Sequence, residues 1–165
     1  MDRCGECGFE YDLSEAHAAG PSIVAGVAEL AALLDDPGAD LRSRRQPQTW
    51  SPLEYGCHVR DVLLVQRERV LAARRTDRPS CDPMGRDERV EHDGYADQDP
   101  TDVARQAGDA AQMFAHALSR LGPGDWERTV MYSYPERFER SLRWVAVHTV
   151  HEVQHHLLDI RRQLS

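Results

Sequence analysis

Apolar residues recur at helical spacing in four windows, separated by polar stretches rich in proline and glycine. Ile23, Val27, Leu30 and Leu34 follow one another at the three- and four-residue steps of a helix face, and the pattern stops at Asp35-Asp36-Pro37-Gly38. A second run carries Val62, Leu63, Leu64, Val65, Val70 and Leu71 and spans about residues 51 to 75. Its start is written into the sequence: Ser51 suits the N-cap, Pro52 the first helical position, and Glu54 completes a Ser-x-x-Glu capping box. The third window, 101 to 121, presents Val103, Ala107, Ala110, Ala111, Phe114, Ala117 and Leu118, and ends at Gly122-Pro123-Gly124. The fourth runs from 138 to 163. Residues 40 to 49 read as a polar crossing loop, 76 to 99 as a long loop and 126 to 137 as an extended connection. The pattern predicts an all-α four-helix bundle with one long crossover, over residues 20–165, preceded by a cysteine-bearing segment, residues 1–19.

The length of 165 residues suits a single core. No run of apolar side chains approaches the ~20 residues that span a bilayer, and the first residues lack the apolar stretch of a signal peptide. The expected location is therefore the cytoplasm, with no membrane partner. A formal charge of -8 and the lack of an arginine-rich tract oppose nucleic acid as a partner, and leave a homodimer as the macromolecular assembly to consider. All 20 basic residues are arginine and asparagine is absent, a bias against AT-rich codons that points to a GC-rich, actinobacterial genome.

The candidate chemistry lies in the fourth helix, which holds four of the eight histidines: His148, His151, His155 and His156. At about 100° per residue, His148, His151, His155 and Asp159 share an arc of roughly 80°. His151 and His155, one turn apart, can place two imidazoles on one metal ion. His148 can replace His151, and His148/Glu152 and Glu152/His156 are further pairs with ligand chemistry. A third ligand must come from elsewhere, and His58, two turns into the second helix, is the natural donor. Asp159 and Asp61 are candidates to orient ligand imidazoles from behind.

The combination Trp50-Ser51-x-x-Glu54-Tyr55-x-x-His58 with a last helix carrying His-x-x-x-His resembles the DinB/YfiT-like superfamily of metal-binding four-helix bundles, over about residues 20 to 163. The resemblance implies His58, His151 and His155 as ligands of one divalent ion, zinc or nickel, with a coordination position left for water or a thiolate. Members include bacillithiol- and mycothiol-dependent S-transferases and mycothiol-dependent maleylpyruvate isomerases, the latter with a glutamate in place of one histidine. The chain departs from many members by following the second histidine with His156-Leu157-Leu158-Asp159 where they have an Arg-Gly-Gln-like stretch. The function implied is a metal-dependent S-transferase or isomerase that uses a low-molecular-weight thiol, mycothiol if the source is actinobacterial, against a small electrophile. The rivals are a metal-dependent hydrolase and a non-catalytic metal-binding or stress-response protein. Arg60, Arg86, Arg89 and Arg128 are the candidates to grip an anionic group.

Cys4-Gly-Glu-Cys7 has the spacing of half a zinc knuckle, and a second zinc there needs further ligands, such as His17, His92 or another subunit. A purely structural terminus and a redox pair are the other readings. Cys57 points away from His58 and reads as a small core residue, and Cys81 as a free thiol in the long loop. Trp126, Arg128, Tyr132 and Tyr134 either line the mouth of the pocket or pack.

Overall fold

The computed structural model describes residues 3–134 and 136–165. Four long helices, α1 (Ala19–Leu34), α2 (Pro52–Arg75), α4 (Pro100–Ser119) and α5 (Leu142–Leu164), form the bundle, and a short α3 (Arg86–His92) lies in the connection between α2 and α4. Around the bundle the order is α1, α4, α2, α5, so the consecutive helices α1 and α2 face each other across a diagonal. The 35–51 loop must therefore cross the end of the bundle. Arg44 anchors it by a two-pronged ion pair to Glu54 (2.8 and 2.5 Å), the glutamate of the capping box. Burial alone would push the Glu54 carboxyl up, but Arg44 and the Ser51 N–H outweigh it and hold the pKa below the usual value.

The bundle is not purely helical. Ser80–Cys81 (β1), Thr129–Ser133 (β2) and Arg137–Ser141 (β3) form a sheet in that order, β1 parallel and β3 antiparallel to β2. The long loop thus contains β1, α3 and a 3-10 turn, and the last helix begins at Leu142 rather than near 138. Ser141 caps it by accepting from the Trp144 N–H. Val130 and Tyr132 point into the core with the period of a strand, whereas β3 is mostly exposed and owes its conformation to pairing with β2.

Helical turns also precede α1, so Leu13–Leu34 is one stretch long and apolar enough, by length and composition, to cross a membrane, contrary to the expectation from apolar runs. In this fold its Ile23, Val27, Leu30 and Leu34 are buried against the other helices. α1 and α5 approach closely at Gly26, where a Cβ would meet Val153 Cγ1 at 2.8 Å. Val153 is β-branched and fully packed, so it has little freedom to move. Gly26→Ala is expected to destabilise the protein by about 1–3 kcal/mol, read as a lower midpoint in denaturant at unchanged slope; an unchanged midpoint would mean that α1 and α5 are not held this closely.

Residues 3–12 fold back onto α5. Arg3 and Glu10 form a β-bridge, the Cys4 N–H donates to the Phe9 carbonyl (2.8 Å) and the Gly8 N–H to the Cys4 carbonyl (3.0 Å). Gly8, at φ +76°, supplies the left-handed residue that closes this turn. Phe9 and Tyr11 pack against the core.

Candidate metal centre

α5 presents its polar side chains on two adjacent strips. Glu152 and His156 form one, His151 and His155 the other, about 100° round the helix. The register of α5 against α2 turns the Glu152/His156 strip toward His58. One ligand atom each from His58, Glu152 and His156 lie within 4.8 Å of one another. Glu152 Oε2 is 3.9 Å from His58 Nε2 and 3.6 Å from His156 Nε2. The expected triad of His58, His151 and His155 does not converge: the rings of His151 and His155 are turned toward the N-terminal segment, where Tyr11 and Cys4 meet them.

The surroundings fix these rings. Asp159 Oδ2 is 3.1 Å from His156 Nδ1, which leaves Nε2 directed at Glu152. Tyr55 stacks on His156 (5.4 Å between centroids) and Trp50 lies against His58 (5.0 Å). His58 is 2% exposed, its Nδ1 is buried without a hydrogen-bond partner among the described residues, and its Nε2 has only the 3.9 Å approach to Glu152. A buried imidazole nitrogen without a partner is costly, and the ring's other nitrogen, facing Glu152 at a distance too long for a hydrogen bond, suits a ring that binds an ion. The donor set of two imidazoles and a carboxylate is borderline, as zinc and nickel sites are.

Burial would push the Glu152 carboxyl up, but His151, His156 and His58 around it hold its pKa well below the ordinary carboxylate value. His156 moves the other way: burial lowers it, yet Asp159 and Glu152 outweigh burial and raise it to about 9. Burial keeps His58 depressed and drives His148 down to about 4, so both rings are neutral near pH 7.

A second cluster lies alongside. Cys4, Cys7, His151 and His155 each offer a ligand atom within 4.8 Å of the others. Cys4 Sγ is 3.9 Å from His155 Nδ1, and His151 Nε2 is buried without a partner. Burial opposes the Cys4 thiolate, but the backbone N–H groups of Cys7 and Glu6 and the His151 ring outweigh it and lower the pKa to about 6. The Tyr11 hydroxyl bridges His148 Nδ1 (3.0 Å) and His151 Nδ1 (2.9 Å).

Other expected residues lie elsewhere. Asp61 does not back His58; it accepts from the Tyr95 hydroxyl (2.6 Å) and Arg60 Nε (2.8 Å), with Arg89 at 3.4 Å. His17 packs on Trp126 and Arg143, and neither it nor His92 joins the cysteines. Cys57 is buried in the core, and Cys81 is a buried free thiol within β1. Trp126 and Tyr132 are core residues, Tyr132 set edge-on to Trp144 and His148. Arg128 donates to the carbonyls of Ala73 and Thr76. Arg86 reaches over Trp50 (6.0 Å) and beside the exposed Tyr134 (5.7 Å), and is the expected anion-gripping arginine whose guanidinium lies against an aromatic ring touching His58. A cleft of about 470 Å³ between α2 and β1, lined by Asp61, Leu64, Arg69 and Cys81, contains none of the histidines and is a poor match to the chemistry. Sequence reading missed Tyr11, whose only signal was an aromatic residue close behind the two cysteines.

Two helices that aim imidazoles and a carboxylate at one another inside a crossed four-helix bundle define a helical bundle with a side-chain cluster that could hold a metal ion. The chain belongs to the DinB superfamily, whose family model matches residues 24–160. Among solved structures it is similar to YfiT from Bacillus subtilis, a probable metal-dependent hydrolase with an unusual four-helix bundle topology. That likeness has 15% identity and a TM-score of 0.74, with 87% of this chain and 85% of YfiT covered, and it reflects a shared fold. No curated protein sequence matches the chain.

Proposed function

We propose that this protein is a metal-dependent enzyme that uses a low-molecular-weight thiol against a small electrophile, by S-transfer or isomerisation, with His58, Glu152 and His156 as the ligands of its ion. The observation that carries this reading is the convergence of those three side chains from α2 and α5 on one buried point. A divalent ion supplies the acidification that turns a thiol, of ordinary pKa about 8.5, into a thiolate at neutral pH. With Glu152 in the set, the ligands carry one negative charge, so a divalent ion keeps a net single positive charge rather than the two that three neutral histidines would leave.

The chain's own groups bind and orient. Asp159 holds the His156 tautomer through Nδ1, and neutral His148 sits 3.6 Å from the other oxygen of Glu152. Trp50 and Tyr55 flank the two ligand rings, and Arg86 is the residue we assign to an anionic group of the thiol or substrate. The neutral imidazole nearest this point, His148, is engaged on both sides, by the Tyr11 hydroxyl at Nδ1 (3.0 Å) and by Glu152 at Nε2 (3.6 Å), which favours thiolate chemistry over the hydrolysis attributed to YfiT. The lysine-free, asparagine-free composition favours mycothiol as the thiol, and the donor set together with the family resemblance favours zinc or nickel as the ion. All four cysteines are free, in keeping with a reducing cytoplasm.

The test is consumption of mycothiol with a panel of epoxides, haloaromatics and maleylpyruvate. A chelator is expected to abolish turnover, zinc or nickel to restore it, and His58→Ala to match the stripped enzyme. Metal-dependent ester or amide cleavage without thiol consumption would make the protein a hydrolase instead, and neither activity would make it a binding protein.

A further inference from the structure

We propose that Cys4, Cys7, His151 and His155 bind a second, structural zinc ion that fastens the N-terminal segment onto α5 beside the His58 centre. This reading does not depend on the function proposed above. The spacing Cys-x-x-Cys followed by His-x-x-x-His is that of a Cys2His2 zinc site, although 143 residues, positions 8 to 150, separate the two halves. The fold brings those halves together, with all four ligand atoms within 4.8 Å of one another, close to the roughly 3.3–3.8 Å between ligands in a tetrahedral shell. The turn closed by Gly8 and the Cys4–Phe9 hydrogen bond aim both thiols at the same strip of α5.

The hydrogen bonds behind the imidazoles argue for an ion as strongly as the distances do. The Tyr11 hydroxyl has one proton. If it donates to His148 Nδ1, it accepts from the Nδ1–H of His151, and His151 Nε2 then carries a lone pair. That nitrogen is the buried one with no partner. On His155, Nδ1 approaches Cys4 Sγ while Nε2 lies 3.4 Å from both Asp159 Oδ2 and Glu6 Oε2. Each ring thus turns one nitrogen to the cysteines and has an acceptor behind the other, the usual arrangement for metal-bound histidine. Four protein ligands complete a tetrahedral shell, so this ion has a structural role.

The two centres are joined. Asp159 Oδ2 backs His155 of this site and His156 of the other, and His151 is the sequence neighbour of Glu152. Filling the cysteine site therefore fixes the α5 residues that shape the catalytic one, and seats Tyr11 against His148.

Full-length protein isolated with zinc under reducing conditions is expected to hold two equivalents. Cys4→Ser/Cys7→Ser should lose one and His58→Ala the other. With cobalt in place of zinc, wild-type and His58→Ala should show the thiolate-to-metal charge-transfer absorption, and the cysteine variant should lose it. Zinc X-ray absorption of His58→Ala, which needs no change at the cysteines, should show two sulfur neighbours at about 2.3 Å and two nitrogens at about 2.0–2.1 Å. A shell of nitrogen and oxygen alone, a Cys4–Cys7 disulfide in the freshly reduced protein, or charge-transfer absorption that persists without the cysteines would overturn the proposal.

Discussion

Glu152→Gln is expected to weaken metal binding at the His58 centre by more than about 100-fold, since even the partners standing behind metal ligands are worth 10–100-fold. Metal-dependent turnover should fall with it. Glu152 Oε2 is the atom that both His58 Nε2 and His156 Nε2 face, so its loss removes the only charged ligand of the set. His156→Ala should do the same. His151→Ala, although adjacent to Glu152 in sequence, is expected to retain the ion of the His58 centre, because its ring faces Tyr11 and the cysteines. Calorimetric titration of the stripped variants distinguishes the ligand sets. Loss of this ion in His151→Ala with retention in Glu152→Gln would restore the triad of His58, His151 and His155.

Stripped of metal, the protein should lose stability as the pH rises from about 6.5 through 9. His156 has its folded pKa raised to about 9, against an ordinary histidine value near 6.5. Its contribution is complete below 6.5, where folded and unfolded chains are both protonated, and disappears as the folded protein loses the proton near 9. The total is on the order of 3 kcal/mol. His151, also raised, acts in the same direction. Glu152, held low, matters only in acid, where its contribution is lost as the pH falls. Cys4 opposes the trend, since its pKa of about 6 makes the thiolate increasingly stabilising up to the ordinary thiol value of about 8.5. The measurement therefore belongs in Cys4→Ser/Cys7→Ser, by urea unfolding at several pH values. A midpoint that holds steady from pH 6.5 to 9.5 would remove the His156 proton from the description. Because the ion displaces that proton, binding near pH 7.5 should release about one proton per ion, seen as a dependence of the binding heat on the buffer.

The helical periodicity of α1, α2 and α4 was plain in the sequence, and so were the capping box at Ser51 and the metal-binding character of α5, because these signals are local. A cap needs its own next three residues and an amphipathic face its own turn. The sheet was hidden for the opposite reason. β3 carries Phe138 on an exposed face and has no apolar alternation of its own, so only pairing with β2 makes it a strand. The absorption of residues 138–141 of β3 into the last helix follows from reading that segment alone.

The site divides along the same line. The sequence determined that α5 carries four histidines, a glutamate and an aspartate within helical reach of one another, and that His58 sits two turns into a capped helix. It could not determine which strip of α5 meets α2. Neighbouring strips differ by about 100° of rotation, and that angle is set by packing between helices distant in the chain, through contacts such as Gly26 against Val153. Tertiary structure decided it, giving Glu152 and His156 to His58 and leaving His151 and His155 to the cysteines at the other end of the chain. Ligand identity was local chemistry, while the grouping of ligands was decided by how the helices rotate against one another as they bury their apolar faces.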